Sequence, residues 1–570
     1  MSNNRPKYWS RNNQNKFSQK GKKTFGETLN FLNPYSFVPL SNKVCLLSES
    51  EIRSLEYCHD APLKEALSGT ITLHFEAMTP MCIRDVSGKN HNVDGKYYIP
   101  GSSVKGMIRS VFEILSMSNP IHSIADSRYS MRDLSSEDYE LKKGKQQSGF
   151  LAWINNQYFI FQCENEKKDY EFFEKHFGIS NLKGSKKENA KDKYRKIKNK
   201  LLVKADDGKL GLCFFSGYID SKKHEYLFNI PEAFKDPIPV QQKEWDDFIF
   251  IHEIENKNKS WKFWKMRLNE RSYHSVDEIQ AGDYRGLVPC FFRTKKENGR
   301  TVVKDLGFSY LYRQPYEKTI HDFMPKVYHG CGIDLAQAVF GCVGERSLKG
   351  RVQFGNAFID YPQFDTEQTF ALGSPKPTFY PFYLKQSKGV LNNYFANDAQ
   401  IAGIKRYLVR SDAEPGNMEK KKVATSFVPL KRGTEFTTKI RFFNLKKHEL
   451  GALLSAITFY QQNEKCFHQI GFAKPFGYGT LRVASPSINL VGHSKVETKE
   501  LYKAFIQYML SKGLFTTEEE WYHAVAPLFR LASGRYEGQI RYPNFDAKEF
   551  KTIKNKKLSI ERFSPKLDQE

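Results

Sequence analysis

A chain of 570 residues with 40% apolar and 14% aromatic content is too long for one small core and has material for roughly two to four packed units. No apolar run approaches the roughly 20 residues of a membrane span. The polar, basic N-terminus also lacks the apolar stretch of a signal peptide, so a cytoplasmic protein with no membrane partner is expected. Lys plus Arg number 88 against 64 Asp plus Glu, a net charge of +24. An excess of that size favours a polyanion, nucleic acid first, with 30 Tyr and 45 Phe as possible stacking faces. The nine cysteines are scattered without a CxxC pair and read as reduced thiols.

Residues 1–25 carry seven Lys/Arg and five Asn, with no acid before Glu27, so a flexible basic arm is expected over 1–30. Order begins near Leu32, in FLNPYSFVPL. ITLHFEAMTPM (71–81) places Ile71, Leu73 and Phe75 on one face and reads as a strand. A polar loop, CIRDVSGKNHNVDGK (82–96), leads to YYIPGSSVKGMIRSVFEIL (97–115). There Val104, Met107, Ile108, Val111, Phe112 and Leu115 recur at helical spacing, and Ser102 and Ser103 offer N-caps. Lys105 and Arg109 lie four apart beside Gly106. The stretch reads either as a capped core helix with solvated cations or as a phosphate site at a helix start. Gly101 and Gly106 have Walker A spacing, but Met107 and Ile108 stand where Lys and Ser/Thr are required.

Residues 116–330 mix charged stretches with strand candidates at 149–163 and 209–219. Between these, residues 183–204 hold ten Lys/Arg against two acids, a solvated face or a mobile arm touching phosphates. YHSVDEIQAGDYRGLVPCFFR (273–293) reads as a turn and a strand. GIDLAQAVFG (332–341) is a short helix closed by Gly341, and GRVQFGNAFID (350–360) a strand with an Asn-bearing interruption. LGSPKPTFYPFYL (372–384) is extended and Pro-rich, with Lys376 and four aromatics. IAGIKRYLVR (401–410) is basic and extended. VPLKRGTEFTTKIRFFNL (428–445) puts Phe436, Thr438 and Ile440 on one face, before a helix with Leu450, Leu453, Leu454 and Ile457 in its stripe. IGFAKPFGYGTLRVAS (470–485) is glycine-rich and aromatic. Two amphipathic helices occupy 495–535, and a basic, weakly structured tail begins at Lys548.

IPGSSVKGMIRS resembles the IPGSSLKGxxR signature of the RAMP superfamily, the repeat-associated proteins of CRISPR systems. AVFG with GRVQFGNA, VPLKRGTEFTTKI with its following helix, and GFAKPFGYGTLRV resemble further blocks of the Cas7-like subunits of type III effectors, in the same order. PYSFVPL, SGYIDSKKHEYLF and YLYRQPY suggest a longer type III variant, its core motifs separated by roughly two hundred residues. The resemblance implies an α+β fold: a ferredoxin-like, RRM-type core with large insertions and a helical C-terminal extension. The expected layout is a first part of the core at 31–115, an insertion at 116–330 (mixed short strands and basic segments, or a second RAMP-like unit), a second part at 331–490, and a helical extension with basic tail at 491–570.

Such a subunit would hold guide RNA and the guide–target duplex among other CRISPR effector subunits. Its expected RNA contacts are Ser102, Ser103, Lys105, Gly106, Arg109, Lys376, Lys405 and Arg406. The glycine-rich loop would add Lys474, Phe476, Gly477, Tyr478, Gly479 and Arg482, where glycines let amides reach phosphates. FGYGTLRV partly matches an RNP1 pattern, with Thr480 in place of an aromatic, and lacks the third glycine of a dinucleotide fingerprint. Binding needs no cofactor. If the chain cuts RNA, the resemblance points to an aspartate before IPGSS, Asp85 or Asp94, with Mg²⁺ or another divalent cation, although the family's GGxDxP pattern is missing. A histidine-based, metal-independent ribonuclease has candidates in His74, His91 and His224, none with a recognisable partner. A scaffold that hardly touches RNA is the third expectation. His321, His329, Cys331 and Cys342 lack paired zinc spacing.

Overall fold

The computed structural model describes residues 29–566, apart from 57, 186–187, 256–258, 331, 345, 373–375, 388, 417–423, 493–495 and 545. Most of the basic arm expected over 1–30, and Cys331, lie outside the described residues.

One antiparallel sheet organises the molecule. Its long centre strands are β1 (Leu67–Ala77) and β3 (Glu435–Leu445), paired with Ile71 opposite Ile440 and Phe75 opposite Phe436. β4 (Thr480–Val483) lies on the free side of β1, and β2 (Val352–Phe354) on the free side of β3. The order β4–β1–β3–β2 places two strands distant in sequence at the centre. Strict alternation in β3 buries Phe436, Thr438, Ile440 and Phe442 and exposes Glu435, Thr437, Lys439 and Arg441, so only one face of the sheet needs cover.

That cover comes from α1 (Gly101–Leu115) and α2 (Lys447–Thr458). The six α1 stripe residues are all buried, each worth about 1.5–3 kcal/mol of apolar transfer at most. Leu450, Leu453, Leu454 and Ile457 of α2 join the same core. Arg351, immediately before β2, ties sheet to helix. It is 1% exposed, ion-pairs with Glu449 of α2, and donates through Nε to Ala338 O (3.1 Å) and through Nη1 to Asn444 O (2.8 Å). Outside α2 pack α3 (Thr498–Ser511) and α4 (Glu518–Ala532), with Trp521 donating to Leu115 O at the end of α1 (2.9 Å).

Much of the chain between α1 and β2 builds a second core. A five-stranded sheet includes the hairpin Gln147–Ile154 and Gln157–Cys163, turned by Asn155–Asn156, both at positive φ. A four-stranded sheet runs from Leu202–Lys204 to Asn165–Asp169. This second cluster also takes in Leu40, Tyr380, Leu384, Tyr394 and Ile401, so it is closed by chain from both sides of the insertion.

Four local readings are corrected. α1 starts at Gly101 with Pro100 at the N-cap and no side-chain cap. Ser102 and Ser103 are already inside its first turn, and the Asn356 side chain accepts from Gly101 N instead (2.9 Å). The basic run 183–204 is not only a solvated face. Its Lys193 is fully buried against fully buried Glu225 (2.7 Å), which also takes Lys222. Residues 372–384 are not extended throughout, since Tyr380–Tyr383 forms one helical turn. The tail is ordered beyond Lys548. It forms Glu549–Asn555 and a final turn whose Phe563 stacks on Phe31 at 4.6 Å.

Candidate nucleic-acid interface

Near the N-terminus of α1 a two-stranded ribbon crosses the molecule. Tyr35–Val38 pairs antiparallel with Ile404–Tyr407, Tyr35 opposite Tyr407 and Phe37 opposite Lys405. Strand periodicity sends Lys405 to one side with the tyrosines and Arg406 to the other. The Lys405 ammonium sits 3.8 Å from the Tyr35 ring centroid, within 5.3 Å of those of Tyr383 and Tyr407, and donates to Tyr383 Oη (2.8 Å). Arg406 donates to Ser110 Oγ of α1 (2.7 Å). Lys474, on the loop between α2 and β4, also approaches Tyr407, its ammonium 5.8 Å from the ring centroid.

Two adjoining cavities of about 460 and 450 Å³ share Lys405, Tyr407, Gly471 and Lys474. The first is walled by aromatic rings and adds Lys376. The second runs over Ser103, Gly106 and Ser110 of α1 to Arg406. None of Lys376, Lys405, Arg406 or Lys474 has a carboxylate at ion-pair distance among the described residues. Burial pulls Lys405 down to about 8 and Arg406 down to about 10, and burial plus the Arg406 charge lowers Lys474. Desolvated cations without counter-charges are costly, and an anion bound between them would remove the cost.

The structure thus gathers Ser103, Gly106, Lys376, Lys405, Arg406 and Lys474 in one place. A Cβ on Gly106 would meet nothing within 4 Å, so backbone there is open to a close ligand. Ser102 is exposed on the same first turn. The other expected contacts have partners within the protein. Lys105 donates to Phe340 O (3.3 Å) at the end of Leu335–Phe340, a favourable place for a cation, and Arg109 pairs with Glu113 (2.8 Å). Arg482 pairs with Glu76 beside His74 and Glu435, in a different cavity. Phe476 stacks on Phe370 (4.4 Å), and Tyr478, 3% exposed, donates to Glu414 O. Gly477 and Gly479 are at φ 86° and 82°, and added Cβ atoms would lie 2.0 Å from Asp412 O and 1.8 Å from Ile470 O. Their glycines admit the protein's own backbone.

Asp85 accepts through Oδ1 from Ser87 N, Ser87 Oγ and Lys89 N, bonds that hold its carboxyl below the usual range. Asp94 occupies a two-residue hairpin turn at φ 51° before Gly95 at 80°. Among the described residues no three His, Cys, Asp or Glu side chains group to hold an ion; Asp85 and Asp94 are single turn carboxylates, and Mg²⁺ at either would keep waters and take further oxygens from a substrate phosphate. Among the described residues, His321 Nε2 bonds Ile124 O and Cys342 bonds Arg346 O, with no shared centre.

The sequence reading missed the aromatic wall: Tyr35, Phe379, Tyr383, Tyr407 and Tyr542. Both PYSFVPL and FYPFYL stand out in the chain, but nothing local shows that a ribbon joins Tyr35 to Tyr407.

The RAMP superfamily matches residues 74–482, a span that runs from β1 through α1, β2, β3 and α2 into β4. The chain belongs to the RAMP superfamily. None of the curated proteins compared with this RAMP protein matches it. Among solved structures, it resembles Csc2 of Thermofilum pendens at 14% identity, covering 39% of this chain and 58% of that one, with a TM-score of 0.14. A CRISPR RNA-guided surveillance complex in a pre-nicking state gives 11% identity, coverages of 85% and 100%, and a TM-score of 0.21. A type III-B Cmr-beta complex bound to cognate target RNA gives 8%, 76% and 99%, and 0.18. These scores are too low to carry an argument. The chain spans under two thirds of the Csc2 chain's length. No helix of the described residues is long and apolar enough to cross a membrane.

Proposed function

We propose that this RAMP protein is a Cas7-like RNA-binding subunit of a type III CRISPR effector, holding guide RNA and the guide–target duplex in the cytoplasm alongside other effector subunits. The observation that carries the reading is the set Lys376, Lys405, Arg406 and Lys474, which lines two adjoining cavities with no carboxylate partner among the described residues. Strand order β4–β1–β3–β2 with α1 and α2 on one face supports a ferredoxin-like, RRM-type core as the platform. Phosphates of an extended strand would lie along Gly106, Arg406 and Lys474, where open backbone meets cations, with Lys405 between backbone and aromatic wall. Arg109 and Arg482, already paired with carboxylates, are left out of this contact set.

Purification of the protein with its neighbours from its own host, followed by sequencing of bound RNA, tests the reading. Guide RNA is expected, and its absence favours a scaffold. Cleavage through Asp85 or Asp94 has no comparable support. The matching expectation is that Asp85→Ala leaves RNA cleavage by the assembled complex with Mg²⁺ unchanged, read on labelled target.

A further inference from the structure

We infer that the aromatic cavity beside the cationic groove is a socket for one unstacked nucleobase of single-stranded RNA. The inference rests on the RNA-binding reading and adds what lies off the backbone.

Two observations point the same way. The cavity, about 460 Å³, falls in the range of small-ligand sites and is walled by flat rings. Tyr35 is the hub, with Tyr383, Tyr407 and Tyr542 at 5.8, 6.2 and 6.3 Å between centroids. Flat walls favour a planar guest, and aromatic faces take any base. Next, the mouth shared with the second cavity carries Lys405 and Lys474, so a planar guest there would bear an anion. A base with its phosphate has both properties; a plain apolar ligand has only the first.

Ala371 lines this cavity from an exposed strand end, so Ala371→Trp fills the space while every cation of the groove stays in the chain. The probes are a labelled single-stranded RNA of about twelve nucleotides and the same strand with abasic riboses, both titrated onto the full chain. Wild type is expected to bind the intact strand about tenfold more tightly than the abasic one. Ala371→Trp is expected to lose most of that preference while keeping the salt dependence. Equal wild-type binding of both strands, with normal salt dependence, overturns the socket and leaves the phosphate groove standing. A preference that Ala371→Trp does not change also overturns it, since base contacts would then lie elsewhere. Failure to bind either strand removes the RNA reading and the socket together.

Discussion

Lys405 is the residue on which charge and packing meet. Burial among three tyrosines lowers it to about 8, against an ordinary lysine value of about 10.4. It is therefore charged below about pH 8 and increasingly neutral above, so RNA affinity is expected to fall several-fold as pH rises from about 7 to about 10. Lys405→Arg is expected to flatten that profile, because a guanidinium stays charged. Stability moves the other way in the free protein. Between the two values the unfolded chain holds more protons, so this group adds stability as pH rises through the window. A set of fluorescence anisotropy titrations against pH, with melting curves at each pH, checks both signs. Arg351 is the structural counterpart. Arg351→Met strands Glu449 inside the core and is expected to cost about 3–5 kcal/mol, while adding Glu449→Leu recovers much of it. Urea unfolding midpoints decide that.

At the scale of elements, two kinds of glycine separate. Gly106 faces open space on α1, so Gly106→Ala is expected to raise stability by about 0.5–1 kcal/mol. Gly477→Ala forces a side chain onto φ 86° and into Asp412 O and is expected to lower the melting temperature by several degrees or prevent folding. The two melting temperatures test the distinction. The periodic elements were legible in the sequence: the α1 stripe, the alternation of β3 and the apolar rows of α2 rest on local spacing alone. The α1 cap was not, because its oxygen comes from Asn356, far along the chain. Nor was the status of Lys193, since a charge run gives no sign that one lysine meets a carboxylate, Glu225, in a core. The tail misled for the same reason: its composition is basic, but Ile553, Ile560 and Phe563 pack against Phe31 and Phe382.

Across the whole molecule, the candidate site exists only because distant segments converge. Residues drawn from the segments 33–35, 103–110, 376–383, 405–407 and 471–475, with Tyr542, line two adjoining cavities, and the RAMP match from 74 to 482 spans only the middle of that set. Several cations of the site were readable as basic positions in extended or glycine-rich stretches. Their aromatic surroundings were not, since the ribbon that creates them pairs segments far apart in the chain. The loop glycines misled in the opposite direction, because a Gly-rich sequence does not tell whether the close approach is to a ligand or to the protein itself. The central claim is that Lys405, Arg406 and Lys474 hold an RNA backbone. It is tested most directly by the salt dependence of single-stranded RNA affinity in wild type and in the Lys405→Met, Arg406→Met, Lys474→Met triple variant, with circular dichroism confirming the fold. The account expects the slope of log affinity against log salt to shrink by about 2, three phosphates at about 0.7 each. An unchanged slope and affinity in the folded variant would contradict it.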